Sequence, residues 1–585
     1  MKLQFYIGFL CTSFTLISSQ NSSETGTDGA SFRKPLSQPE VCAECGCVRG
    51  KFESGRKKSY DAFYGIPYAE PPVGKLRFES PVPYSGWTGY WDASYPRDDC
   101  LQENLYLPGY PISGSEDCLF LNVYRPSSWN RKKKLPVLIW IHMGSFFAFS
   151  SNPALVGPEY LMDNGEVILV TMNYRLGILG FLCSGDEAVK GNFGLKDQQL
   201  ALKWVATNIE YFGGDSSSIT LAGHGAGGIS TNLHMLNPKS QALFHRAIMM
   251  SGVALTPMIY PIDFEAQFRK VAKLIELPDW EAGTTTNLAY QMKKLDGLKL
   301  ILAHKYLFLM LKTPPFSLRP CIEGDWEGAF MTEDPRTVWA EGRFVHKPFV
   351  VGTVRKEGIV QSVITTDKSL LDQFNKNIYH FLPVQLDFHP KYAYDVMKYY
   401  LGKKDYIDSS NQAEYFEMYG DRCFCYPMVT MVNQYITYAD VKKNPVFIYE
   451  FAYESEYSLA NLLHNTEEYL GVGQLDDLPY LFRMSSNFQP FETDSPESRM
   501  SDIWVRTMVN FVARGEIKVW RTLRPCTTEN ASPTCDRQVF ERYTNGDQDE
   551  SFVSIANNID TDMLKLFENI DSGVKSKTLE SCTLS

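Results

Sequence analysis

The chain has 585 residues, with 57 Lys+Arg against 68 Asp+Glu and a net charge of −11. At 21% charged, 44% hydrophobic and 14% aromatic it has a globular composition, which excludes a disordered or collagen-like chain. The acidic balance argues against nucleic acid as a partner, and the densest basic run, Arg131-Lys132-Lys133-Lys134, stands before an apolar stretch as a solvated turn does.

At the start, Lys2 precedes an apolar stretch from Phe5 to Ile17, and Ser18-Ser19 follow. That order is a secretory signal, expected over residues 1–19, and its apolar part falls short of the roughly 20 residues that span a bilayer. No later stretch is long and apolar enough to span, and the polar end carries neither an apolar tail nor a prenylation box. The mature protein is therefore expected to be secreted and extracellular, without a transmembrane anchor. Residues 20–40, rich in Ser, Thr, Gly and Pro, form a flexible lead-in, and 41–585 one large domain with no linker or internal repeat. Without Cys11 the chain keeps twelve cysteines, an even number suited to an oxidising compartment. The sequons at Asn21 and Asn530 fit the same address. Cys42, Cys45 and Cys47 crowd together without a fourth ligand at zinc spacing, so they point to disulfides; no metal and no cofactor is expected.

Further along, Leu135–Ile141 (LPVLIWI) and Val167–Met172 (VILVTM) are buried-strand candidates. Leu195, Gln199, Leu202, Val205 and Ile209 recur at helical spacing between Asn192 and Phe212, and a short strand, Ser218–Ala222, runs into the glycine cluster His224–Gly228. Strand, tight turn, helix and strand in alternation predict an α/β fold, a large and mostly parallel sheet with helices on both faces.

Four stretches then carry a specific likeness. Phe63–Phe78 is FYGIPYAEPPVGKLRF, Ser115–Tyr124 is SEDCLFLNVY, Asn173–Leu182 is NYRLGILGFL, and Asn192–Gly228 is NFGLKDQQLALKWVATNIEYFGGDSSSITLAGHGAGG. With Asp476–Phe482 (DDLPYLF), they resemble the type-B carboxylesterase and cholinesterase family in its insect-esterase style. The resemblance, from about residue 40 to at least 515, implies an α/β-hydrolase fold with one gorge-containing domain. It also implies that Cys118, inside the SEDC landmark, pairs with Cys100, and that Cys423 or Cys425 pairs with Cys526 or Cys535.

Hydrolysis in this family needs a serine on a strained G-x-S-x-G elbow, a histidine that takes its proton, an acid that orients the histidine, and backbone N–H groups for the oxyanion. The elbow here is Gly223-His224-Gly225-Ala226-Gly227, so Gly225 stands at the nucleophile position with no side chain. His224 is expected to point elsewhere, packed or solvated beside the turn. Glu357, at the end of FVVGTVRKEG, matches the acid. In Gly471-Val472-Gly473-Gln474, Gln474 takes the place of the histidine; it can hydrogen-bond Glu357 but has no basic nitrogen. His464 is a substitute only if the loop is rerouted. The oxyanion loop is His142-Met143-Gly144-Ser145-Phe146, in which Gly144 persists while Met143 and Ser145 replace glycines; Ala226 still supplies an N–H.

A triad without nucleophile or base points to a secreted, catalytically inactive esterase-like protein. It would act by binding an extracellular protein or a small apolar ligand, as cholinesterase-like domains of the neurotactin, gliotactin and glutactin types do. The competing reading is an active carboxylic ester hydrolase with unusual machinery, which the likeness alone suggests; function, however, follows the site rather than the fold.

Overall fold

The computed structural model describes residues 38–107, 111–257, 263–307, 318–464, 469–519, 521–522, 537–545, 549–556 and 560–575. The signal segment, most of the lead-in, both sequons, Cys526 and Cys535 lie outside the described residues.

Eleven strands form one mixed sheet. They are β1 (Lys51–Ser54), β2 (Ser59–Pro67), β3 (Phe120–Pro126), β4 (Leu135–Ile141), β5 (Ile168–Met172), β6 (Gly214–His224), β7 (Arg246–Met250), β8 (Phe349–Val354), β9 (Val446–Phe451), β10 (Arg537–Asn545) and β11 (Asp549–Ala556). Across the sheet they lie in the order β11-β10-β9-β8-β7-β6-β4-β5-β3-β2-β1. Every pairing from β5 through β10 is parallel, and the strands outside that block pair antiparallel. This is the expected α/β-hydrolase arrangement.

The apolar run of β4 follows from its place at the centre. Val137, Ile139 and Ile141 enter one core while Leu138 and Trp140 enter the other, so neither face sees water. Fully burying each of these aliphatic side chains contributes roughly 1.5–3 kcal/mol. On the first face lie α1 (Phe193–Asn208), through Leu195, Leu202 and Val205, and α2 (Ala226–Leu236), through Ile229 and Leu233. On the other, α3 (Pro496–Arg514) packs Trp504 against Tyr449 and Phe540, with ring centroids 4.9 and 4.6 Å apart. Ser495 caps α3 by accepting from the Ser498 N–H at 3.1 Å, and Pro496 fills the first turn, where a missing N–H is harmless.

The motif stretches turn out to be joints. Arg175 of NYRLG donates to both carboxylate oxygens of Asp197 on α1, Nε at 2.8 Å and an Nη at 2.6 Å, which locks the segment after β5 to the helix. Asn173 Oδ1 accepts from the Ser151 N–H at 2.9 Å. A disulfide joins Cys100 to Cys118, and a second joins Cys42 to Cys47 and leaves Cys45 as a thiol. Among the described residues no helix is long and apolar enough to cross a membrane.

Candidate active-site pocket

β6 extends beyond the expected Ser218–Ala222, running from Gly214 to His224 and delivering the elbow to the carboxyl edge of the parallel block. Gly225 turns the chain into α2 at φ 55° and ψ −115°. Its N–H donates to the Met250 carbonyl at 2.8 Å, and its own carbonyl accepts from Ile229 at 2.9 Å. The glycines around it are there for space. A β-carbon on Gly227 would lie 2.1 Å from the Ile141 carbonyl oxygen, one on Gly223 2.3 Å from the Gly227 carbonyl carbon, and one on Gly252 2.5 Å from the Gly225 carbonyl oxygen. Gly225 itself is different, because a β-carbon there would meet nothing within 4 Å. The site that would hold a serine is open, so packing does not demand glycine.

Glu357 follows β8 as its resemblance to the family acid implies. Its Oε1 accepts from the Val354 N–H at 2.9 Å, and Oε2 has no hydrogen-bond partner among the described residues. Burial pushes its carboxyl up to about 8, with the nearby Asp477 and Asp476 carboxylates adding to the rise. Gln474 reaches the same pocket, carried by a loop tied to the acid segment through the Lys356–Gly473 bridge, where the Lys356 N–H donates to the Val472 carbonyl at 2.9 Å. Gln474 could hydrogen-bond Glu357, but among the described residues no hydrogen bond joins the two. Asp476 builds this loop: its carboxylate accepts from Gly473 N–H at 2.8 Å, Ala460 N–H at 3.0 Å and the Ser458 hydroxyl. His464 closes the helix Leu459–His464, and its side chain lies outside the described residues.

His224 is packed beside the turn, one of the two expected places, and also borders the pocket next to Gly225; it is fully buried, with Nε2 3.3 Å from Asp477 Oδ1 but out of line for a hydrogen bond. Asp477 Oδ2 accepts from the Tyr449 hydroxyl at 3.1 Å. Sequence reasoning missed this pair because its members lie on distant segments; the doubled acid in DDLPYLF was the available signal, one carboxylate shaping the loop and the other turned inward.

The oxyanion loop keeps one position that only glycine fills. Gly144 has φ 114°, and a β-carbon there would lie 1.9 Å from the Ala148 carbonyl oxygen, so only glycine fits. Ser145 adopts φ 51° and Phe146 φ 67°, the left-handed region that glycine favours. A hydrogen bond between the Ser145 and Tyr106 hydroxyls holds it there. Met143 is buried and forms part of the wall. At the start of α2 the Ala226 N–H also borders the pocket, in the first turn where helical N–H groups lack intrahelical acceptors. The pocket leaves about 40 Å³ for the centre of a water-sized molecule, with Phe146, Phe149, Phe424 and Leu463 among its apolar walls.

A sequence model of the carboxylesterase family matches residues 37–571. The chain belongs to the carboxylesterase family. Within that family it is 35% identical over 501 residues to a juvenile hormone esterase of Tribolium castaneum, covering 82% of this chain and 84% of the relative. Venom carboxylesterase-6 of Apis mellifera is 31% identical over 505 residues, 83% of this chain and 88% of that one. A solved carboxylesterase-family structure, juvenile hormone esterase from Manduca sexta with OTFP covalently attached, superposes with a TM-score of 0.78 at 26% identity, covering 92% of this chain and all of the other.

Proposed function

We propose that this member of the carboxylesterase family does not hydrolyse esters and acts by binding, as an exported protein that engages an extracellular partner or holds a small apolar ligand in the retained pocket. The observation that carries the reading is Gly225. With only backbone atoms at the nucleophile position there is no hydroxyl there to attack a carbonyl or to carry an acyl group. Gln474 supports it, since an amide does not take a proton near neutral pH. The surviving N–H groups and apolar walls still favour a carbonyl in a greasy molecule, which is binding without turnover. Of the subtypes in the family, the neurotactin-like, non-catalytic one fits this residue set.

The named relatives favour the second reading, an active ester hydrolase, because those proteins are called esterases. His224 beside Asp477 is the group such an activity would draw on, with water in place of serine. One experiment separates the two. Hydrolysis of p-nitrophenyl and naphthyl esters should stay at the buffer blank, and intact-mass measurement after OTFP or an organophosphate should show no added mass. Turnover above the blank that disappears in His224→Leu would establish the hydrolase instead, and a stoichiometric adduct on the elbow peptide would end the binding-only reading.

A further inference from the structure

Outside the pocket, two buried sulfurs meet on the far side of α1. Cys183 follows the short helix Gly177–Phe181, and Cys321 lies in the segment that leads to Glu323. Each Sγ is 3.9 Å from the same acceptor, the Lys190 carbonyl oxygen. A β-carbon on Gly191 would lie 2.4 Å from Cys321 Sγ and 3.2 Å from Cys183 Sγ, so the two sulfurs are no farther apart than the sum of those lengths. Gly191, at φ 84°, is thus the residue whose missing side chain leaves room for the sulfur pair.

We propose that Cys183 and Cys321 form a further disulfide of the exported protein, in addition to Cys42–Cys47 and Cys100–Cys118. The proposal rests on export through an oxidising compartment, where two thiols held side by side do not persist as thiols. In the closed fold the hydrogen bond from Cys321 lowers the Cys183 thiol against its burial, and burial raises that of Cys321; either cysteine can attack first before the site closes, with the same product. With Cys183 first, its thiolate attacks the disulfide of a thiol–disulfide oxidoreductase, forming a mixed disulfide and releasing one carrier thiolate. Cys321, as thiolate, then attacks Cys183 Sγ and expels the second carrier thiolate. Two electrons pass to the carrier, which ends as a dithiol, and the two protons given up by the cysteines balance its new thiols.

The bond would tie together two segments that already converge on α1. Lys196 Nζ lies 2.6 Å from Glu323 Oε1, and Asn192 Nδ2 donates to the Cys321 carbonyl at 2.7 Å. It would also brace the back of the oxyanion loop, because the Gly177 N–H at the head of the Cys183 segment donates to the Phe146 carbonyl at 2.7 Å.

The test maps cysteines in the full-length protein secreted from eukaryotic cells, alkylated in denaturant without reduction and digested for mass spectrometry. The expected result is a linked peptide pair containing Cys183 and Cys321 that separates on reduction. Recovery of both residues alkylated, or either one linked to another cysteine, overturns the proposal. If Cys100 and Cys118 are linked while Cys183 and Cys321 are alkylated, this inference fails alone; if all four are alkylated, the export reading fails with it. As a second measurement, Cys183→Ser, Cys321→Val and the double variant should share the same lowered Tm, since any one of them removes the whole cross-link. Additive losses would mark two independently packed thiols and overturn it.

Discussion

Gly225 and Gly227 stand two residues apart and differ in what they are for. A methyl group on Gly227 collides with the Ile141 carbonyl oxygen, while the same group on Gly225 enters open space and meets only the cost of a positive φ. Gly225→Ala should therefore lower stability by about 1–3 kcal/mol, and Gly227→Ala by more, read as urea midpoints of the two purified variants. Equal losses would mean that the elbow needs glycine at Gly225 for space as well. The same openness allows a serine to be restored. Gly225→Ser alone should remain at the blank because Gln474 takes no proton, and Gln474→His alone because nothing is there to attack. Together, with Glu357 in place, they should exceed either single by on the order of 100-fold in ester turnover, since such groups act as a unit. A fully active Gly225→Ser single would identify another base in the pocket, and His224, which borders it beside Gly225, is the first to replace in that variant. At this scale the losses were legible in two motifs, because a missing side chain is visible in any sequence. The His224–Asp477 pair was not, because its meeting depends on how the loop behind β9 returns to the elbow.

Secondary structure was legible where one physical cause dominates. The centre of the sheet announces itself, since β4 and β5 are continuous apolar runs, and α1 shows its helical spacing. β10 and β11, the last two strands at one end of the sheet, do not, because polar residues are mixed among the apolar ones, as in RQVFERYTN of β10. Ser145 shows what a motif does not: a non-glycine residue at a glycine position holds φ 51° here, and its hydroxyl bonds that of Tyr106. The disulfide between Cys100 and Cys118 is the covalent tie of the segment that enters β3. Cys118→Ser removes a loop closure and leaves Cys100 as an odd thiol in the core. It should cost about 2–5 kcal/mol and lower the secreted yield. Normal yield with an unchanged Tm would show that the bond is dispensable to folding.

The family likeness implied the fold type, while the order of the sheet is visible only in the structure, because strand neighbours are chosen by crossovers that span long stretches of chain. The buried carboxyls act on the molecule as a whole. Glu357 is raised to about 8 and Asp476 to about 7, chiefly by burial, so the folded protein keeps protons that the unfolded chain releases. Their contribution is complete below the ordinary carboxylate range and is lost as pH rises through these raised values. Tm should fall between pH 5 and pH 8.5, and Glu357→Gln, a neutral mimic of the protonated acid, should flatten that fall. An identical slope in the variant would show that Glu357 is ionised in the folded state. The open space at Gly225 also has a meaning for descent. A glycine codon ending in a pyrimidine becomes a serine codon by one base change, and a glutamine codon becomes a histidine codon by another. Since the fold leaves room for a β-carbon at Gly225, the scaffold sets no steric barrier to a returning serine, and a triad of full composition lies two substitutions from the present sequence, with Glu357 already in place.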